Sequence, residues 1–499
     1  MKNIFLMKFA KTLLPTLSLL LLVNVFVQAQ QSSAVTTSAN TNPADKIGLQ
    51  EAVDVALKNN LSIKQSGLTV ESNLNTYEQS KWTRYPNLNG SANLNLFSGR
   101  NINPYTNGII TNTVGSNGFG LSSGVTIFDG YQTRNNIALN QTNVEIAKLD
   151  LQAMKNTITL NVVVAYLNIL SQEDLLAISQ RQVEVSRIQL ERTQKMVNAG
   201  SVPETNLFDI QAQLANDEVQ VVNAENAIIS AKLTLKQLLN IAADRNVDVV
   251  RIEVPNPNIA AYPNSSNEVY EVAQSFLADV QAADMRIKAA QKAVDIAKGL
   301  KYPVVSAFAN ANTSTTTAAE KVLVTQKIVE TEAGYVDVGG VRYPVIALLP
   351  TSTATSEKIG YFRQLGGNVN LSAGISARIP IFNGYNAKYR TTGATIQQKQ
   401  AEVQAENVRL RLRQDIETAY VNMSNSAKRY SALGNQVRAL EESYRAAESK
   451  FNVGSLNSLD YSISKTNLDR ARANQIQAKY DYIFRIKILD YYQNKPLNF

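Results

Sequence analysis

The chain has 499 residues, with 49 Lys and Arg against 41 Asp and Glu, and neither His nor Cys. That composition excludes a Ser-His-Asp triad, a catalytic thiol, structural zinc and a disulfide framework. The formal charge of +8 falls to +5 (46 − 41) without the three lysines of the leader described next, and the remaining charges are interspersed along helical segments. This is the pattern of a solvated surface rather than a nucleic-acid footprint.

Residues 1–29 join Lys2, Lys8 and Lys11 to the apolar run Leu13 to Val27 and to Val27-Gln28-Ala29. These are the three regions of a secretory signal peptide, with cleavage after Ala29. The alternative is a transmembrane anchor, but the run is about 15 residues where about 20 are needed. No comparable run follows, so a membrane crossing is expected to use strands. An exported chain without Cys is not a lipoprotein. Residues 30–46 are rich in Ser, Thr, Asn and Gln and read as a flexible lead-in.

A first repeat spans 47–241. Apolar spacing at Leu49, Val53, Ala56 and Leu57 predicts a helix from Leu49 to Trp82, ending before Tyr85-Pro86. The period then switches to two, predicting strands over about 87–97 and 118–128 on either side of a Gly/Asn-rich stretch. One face takes Leu88, Ala92, Leu94, Leu96, Phe119, Leu121, Val125 and Ile127. Residues 131–199 hold neither Gly nor Pro, which predicts an uninterrupted helix. Within it Val144, Ala147, Leu151, Met154 and Ile158 step at an average of 3.5 residues, the spacing of a supercoiled partner helix. Gly200-Ser201-Val202-Pro203 makes a turn, and a return helix follows over 204–241.

A Pro-rich linker, 242–266, leads to a second repeat over 267–495. A helix over 267–300 ends at Tyr302-Pro303, and a strand covers about 303–311. The 56 residues of 312–367 replace the first repeat's short loop; they are read as a surface insertion, with contact to extracellular partners as the alternative. Alternation from Asn368 to Phe382 predicts the fourth strand. A long helix over 385–453 carries Ile416, Ala419, Met423, Ser426, Tyr430, Leu433, Val437, Leu440, Tyr444, Ala447 and Phe451 at heptad spacing. A return helix over 458–494 closes the chain.

The two repeats share landmarks. Ile127-Phe128-Asp129-Gly130-Tyr131 stands 70 residues before Gly200, and Ile381-Phe382-Asn383-Gly384-Tyr385 stands 70 before Gly454, an offset of 254 throughout. The expected fold is therefore mixed α and β, internally duplicated, with four transmembrane strands and long coiled-coil-like helices. Closing a barrel takes about eight strands, so one chain is too few. Other chains are expected to complete the sheet and to partner the rods, giving a trimeric β-barrel prolonged by an α-helical barrel. Equal rods place Gly200 and Gly454 at one level.

The duplication, the leader, the IFDG and IFNG junctions and the glycines ending both rods resemble the TolC family of outer-membrane efflux proteins. The resemblance implies a homotrimeric channel in the outer membrane that extends into the periplasm. It also implies a periplasmic adaptor and an inner-membrane pump of the RND, ABC or MFS class, serving efflux or type I secretion, with outer-membrane lipid around the strands and no nucleic acid. Gly200, Ser201, Val202, Gly454 and Ser455 would dock the adaptor. In the family, carboxylates after the second turn narrow the tunnel mouth. Asp460 matches the first of these positions, while Ile463 stands where a second acid would be. Leu456 replaces a basic residue and Asn206 its acidic partner, and Phe451 is counted with this aperture. Pro86, Phe128, Gly130, Pro303, Pro380, Phe382 and Gly384 would mark the junction of barrel and helices.

Blander readings stand beside these. Asp460 and Asn206 are residue types that cap helices. Phe128 and Phe382 serve either an interfacial girdle or ordinary packing. Gly120-Leu121-Ser122-Ser123-Gly124 fits G-x-S-x-G by chance, since no His is present to act as base. No enzyme, cofactor or metal site is expected. The alternative function is a periplasmic coiled-coil adaptor or scaffold without a pore, which would have no reason for four lipid-facing strands.

Overall fold

A computed structural model of the chain describes residues 45–102, 107–252 and 262–495. The leader 1–29, the lead-in up to 44, Pro255 and Pro257 of the linker, and Pro496 lie outside the described residues. In chain order the elements are β1 (Asp45–Ile47), α1 (Leu49–Asn59), α2 (Leu61–Trp82), β2 (Asn87–Ile102), β3 (Ile109–Phe128), α3 (Gln132–Asn198), α4 (Thr205–Leu239) and β4 (Val247–Val249). The second half adds α5 (Ser266–Phe276), α6 (Ala278–Gly299), β5 (Val304–Thr316), β6 (Glu320–Val338), β7 (Val341–Lys358), α7 (Tyr361–Gly367), β8 (Asn370–Arg378), α8 (Asn386–Asn452) and α9 (Ser458–Tyr492).

The repeat is visible as equal lengths. α1 and α5 have 11 residues, α2 and α6 22, α3 and α8 67, and α4 and α9 35. Corresponding starts are 217 apart before the insertion (278 − 61) and 254 apart after it (386 − 132), so the second copy carries 37 extra residues. At about 1.5 Å per residue each rod runs on the order of 100 Å.

The strands pair in the order β2-β3-β5-β8, all antiparallel. The register joins Ala92 to Phe119, Leu121 to Ala311, Val125 to Ala307, and Ala307 to Ile375. All four apolar faces read from alternation therefore lie on one side of the sheet, with Asn89, Ser122, Asn310 and Ser372 on the other. A bulge between Thr126 and Phe128 sets Phe128 opposite Val305, on the apolar side. Among the described residues the outer edges of β2 and β8 have no partner strand.

Several boundaries differ from the sequence reading. The Gly/Asn-rich stretch is paired strand from Leu96↔Gly115 to Ile102↔Ile109, because the ladder bonds backbone whatever the side chain. The linker contains β4, which pairs with β1. Insertion 312–367 is the end of β5, a β6–β7 hairpin and α7 rather than loop. The fourth strand stops at Arg378 although alternation runs to Ile381, since Pro380 has no N–H for a ladder. The first helix is broken at Asn60, whose side chain accepts from Ser62 N at 2.9 Å and donates to Leu238 O at 3.2 Å; Leu277 breaks its counterpart with an extended backbone.

The rods, expected to need helices of other chains along their length, find partners within their own. α3 packs against α2, α4 and α6, and α8 packs against α6 and α9. All eleven heptad positions of α8 are buried or half-buried. Among the described residues one helix, α3, is long and apolar enough to cross a membrane, contrary to the expectation that none follows the leader. Its apolar stretch is core: Val162, Tyr166, Ile169 and Leu170 are at most 2% exposed and pack with residues of α1, α4, β1 and β4. Each such side chain contributes about 1.5–3 kcal/mol by leaving water. The Tyr166 hydroxyl donates to Val250 O at 2.5 Å and to Ile47 O at 3.3 Å, tying the strand pair to the rod.

Candidate functional site

Two regions hold the residues singled out by the sequence. The first is the pair of turns. Each rod ends in a glycine in the left-handed region, Gly200 at φ +72 and Gly454 at +75. In each, the last turn closes the same way: Gly200 N donates to Val197 O and Ser201 N to Met196 O, Gly454 N to Phe451 O and Ser455 N to Lys450 O. A glycine tolerates this conformation because it lacks Cβ. The two turns lie side by side. Ser458 Oγ donates to Asp209 Oδ2 at 2.6 Å, and Arg192 reaches Asn452 O at 3.5 Å.

Around them Ser201, Gly200, Gly454 and Ser455 are exposed and Val202 is half-buried. Phe208, Val453 and Leu459 stand 58%, 77% and 62% exposed, so the tip is apolar and open. Asp460 is exposed, and its side chain makes no hydrogen bond or ion pair among the described residues. It is not the cap of α9: that is Asn457, whose Oδ1 accepts from Asp460 N at 2.7 Å. Nor does Asn206 cap α4; its Oδ1 accepts from Ser458 at 3.4 Å across the two hairpins. Ile463 is half exposed beside Asp460. Leu456 and Phe451 turn inward instead. Phe451 is 4% exposed and stacks on Tyr461 with centroids 4.7 Å apart, so it is packing inside the hairpin rather than part of a surface. Tyr444 and Tyr461 share a 3.0 Å hydrogen bond, and burial pushes both phenols above their ordinary range.

Five residues beyond Asp460 along α9 is a group the sequence reading missed. Lys465 is buried and donates to Asp217 at 2.8 Å and Asp469 at 2.9 Å. Asp217 also accepts from Ser186 at 2.5 Å and Gln213 at 2.9 Å. Burial raises the Asp469 carboxyl above the usual carboxylate range, with Lys465 pulling against it. The network binds α3, α4 and α9 together. No local signal could have found it, since Lys465 and Asp217 are 248 residues apart. Among the described residues no three His, Cys, Asp or Glu side chains gather as metal ligands.

The second region joins strands to rods. Gly130 and Gly384 have φ +68 and +60, followed by Tyr131 and Tyr385, also left-handed. Phe128 meets Tyr131 and Phe382 meets Tyr385 edge to face, each at 85°. The surroundings differ. A Cβ on Gly130 would lie 2.4 Å from Gly299 O and 2.8 Å from Tyr302 Cβ, whereas Gly384 has nothing within 4 Å. Phe128 is half-buried and Phe382 77% exposed. Pro303 and Pro380 are half-buried and Pro86 exposed. The counterparts of Gly299 and Tyr302, 217 residues earlier, are Trp82 and Tyr85, and these are 67% and 62% exposed.

The profile of the family described as outer membrane efflux protein matches residues 52–240 and 269–484, one segment in each repeat. The chain belongs to this family. Among relatives, outer membrane efflux protein BepC of Brucella suis is 20% identical over 436 residues, covering 87% of this chain and 82% of BepC. Outer membrane protein TolC of Escherichia coli is 23% identical over 386 residues, 76% of this chain and 70% of TolC. The fold is shared with solved structures. VceC of Vibrio cholerae superposes with a TM-score of 0.69 at 14% identity over 90% of this chain and 97% of VceC. The CmeC outer membrane channel of Campylobacter jejuni gives 0.68 at 16% over 95% and 96%. This chain is thus an outer membrane efflux protein, at home in the outer membrane.

Proposed function

We propose that three copies of this chain form a passive duct that crosses the outer membrane as a closed barrel and the periplasm as a helical tube. The observation that carries the reading is the incomplete repeat. Inside the chain β3 pairs with β5, α3 packs on α6, and Gly130 nests against the end of α6. The second copy offers the same groups on β8, α8 and Gly384, and the matching surfaces of β2, α2, Trp82 and Tyr85 lie at the opposite flank of the chain. A neighbouring copy supplies them, and a ring of three brings twelve barrel strands. In lipid this matters, because an open sheet edge there costs several kcal/mol per unpaired group.

On this reading the apolar sheet side and the Phe128 and Phe382 pairs face lipid. The exposed tip at Gly200, Ser201, Val202, Gly454 and Ser455 docks a periplasmic adaptor, which links the duct to an inner-membrane pump. The pump supplies the energy, and cargo selection lies with it. Asp460 and Ile463 line the periplasmic aperture, and the Lys465 network holds α9 against the first hairpin there. The test is reconstitution. Heat-modifiable trimers whose conductance is blocked by divalent cations, with the block weakened in Asp460→Ala, are expected. A soluble periplasmic protein would overturn the channel, and a block unaltered in Asp460→Ala would overturn the acidic aperture.

A further inference from the structure

β6 and β7 pair only with each other among the described residues, over the register Glu320↔Lys358 to Val338↔Val341. The turn is Gly339-Gly340, with φ +64 and +85, as a two-residue hairpin of the primed type requires. At about 3.4 Å per residue the ribbon is on the order of 60 Å long. Its root is fixed. Gln364, 5% exposed, accepts from Thr316 N at 2.8 Å and donates to Thr316 O at 3.1 Å and Ile359 O at 2.7 Å, taking the place of a strand partner. Thr313 Oγ1 donates to Leu365 O at 2.7 Å, so α7 clamps the ribbon to the end of β5.

A free two-stranded ribbon is marginal in water. This one is sorted into two faces. A bulge between Glu332 and Gly334 shifts the alternation of β6 by one residue in its outer part. Without it, Tyr335 and Asp337 would share a face with Val329 and Leu349. With it, that face continues through Val336↔Tyr343 and Val338↔Val341 and carries no charge from Val329 to the tip. The opposite face collects Glu330, Glu332, Asp337 and Arg342 beside Ile346 and Leu348. Tyr335 OH donates to Glu332 at 3.0 Å, and Arg342 lies 3.7 Å from Asp337 and over the Tyr335 ring. Both faces keep apolar surface, with Ile346 at 54% and Leu348 at 65% exposed on the charged one, but only the other is free of charge: its Val336, Val338, Val341, Tyr343 and Leu349 remain 50–62% exposed. Apolar surface of that extent on a fixed scaffold marks a contact.

We propose that this apolar face is a contact between copies of the chain: three ribbons pack by it above the strand end of the ring. The proposal rests on the trimeric reading. Each chain brings one ribbon, rooted at the same end of the sheet as its two counterparts. Twelve tilted strands about 4.8 Å apart make a ring on the order of 25 Å across. Ribbons of about 60 Å therefore meet at the axis after a shallow inward lean. The charge pattern selects the same occupant. Identical uncharged, β-branched faces can be apposed without repulsion, whereas the face with three acids cannot be stacked on itself.

The chain has no cysteine, so a single introduced thiol reports cleanly. In the full-length protein in vesicles, oxidised Val336→Cys is expected to give a covalent dimer that Asp337→Cys, one residue away on the charged face, does not give. Heat-modifiable trimers should be unchanged in both. Absence of the dimer from intact trimers overturns the ribbon contact and leaves the trimer standing. Loss of trimers already in the parent chain overturns the trimeric reading itself. Quenching of a fluorophore on Val336→Cys by brominated lipid, without crosslinking, assigns the face to the bilayer surface and overturns the proposal.

Discussion

The two repeats have the same helices to the residue, yet the first is packed where the second is bare. Gly130 sits under Gly299 and Tyr302, while Gly384 faces nothing; Phe128 is half-buried, while Phe382 stands in the open. On the trimeric reading proposed above, the internal duplication serves as a template: the contact made between repeats within the chain is also the one made between chains. On that reading the copies differ by position in a ring, not by a loss of function in one of them.

The sharpest way to break that comparison is a methyl group on each glycine. In Gly130→Ala the Cβ collides with backbone at 2.4 Å as well as straining a positive φ, and the folded protomer is expected to lose at least about 3 kcal/mol, enough to abolish accumulation. Gly384→Ala meets no atom of its own chain, so the protomer is expected to fold with a loss of about 1 kcal/mol for the φ alone, while trimers fall apart at lower temperature. Equal effects at the two sites, read by circular dichroism and heat-modifiable migration, would remove the distinction.

The buried network at Lys465 offers the next contrast, because it ties the hairpins of the two repeats together. Lys465→Met leaves Asp217 buried without its cation and is expected to cost about 3 kcal/mol in urea unfolding. Asp469→Asn should cost far less, since Asp217 still holds Lys465 and keeps its bonds from Ser186 and Gln213. The smallest effect is on pH dependence. Burial raises the Asp469 carboxyl, so the folded chain binds that proton more tightly than the unfolded chain does. Its contribution to stability then falls as pH rises from about 3.9 through the raised value, and is level above it. In Asp469→Asn that downward slope in melting temperature should disappear; a slope kept intact would assign it to another group.

Much of this architecture was legible in the sequence because the signals were local and repeated. Val125 and Ile375 alternate with polar neighbours, Ile416 to Phe451 keep heptad spacing, and Gly200 and Gly454 mark equal rods. The breaks at Asn60 and Leu277 were not legible, since periodicity runs through both and tertiary packing decides the kink. The β6–β7 ribbon escaped because Pro344 and Pro350 read as loop, whereas an edge position spares them the N–H that a central strand would need. Of the residues proposed for the aperture, Asp460 is exposed, whereas Phe451 is buried on Tyr461, a contact between helices that spacing does not encode.

The central claim is that a second copy fills the place that Gly299 and Gln132 occupy toward each other within the chain. A Cβ on Gly299 would lie 2.4 Å from Gln132 Cγ, and the counterparts of these residues are Trp82 and Asn386, both exposed. Oxidising the otherwise cysteine-free Trp82→Cys/Asn386→Cys protein and separating it after denaturation measures the contact between chains directly, since a disulfide needs Cβ atoms about 4 Å apart. A covalent three-chain species that collapses to monomer on reduction is the predicted result. Monomer alone, from protein that still inserts in the outer membrane, would contradict the account.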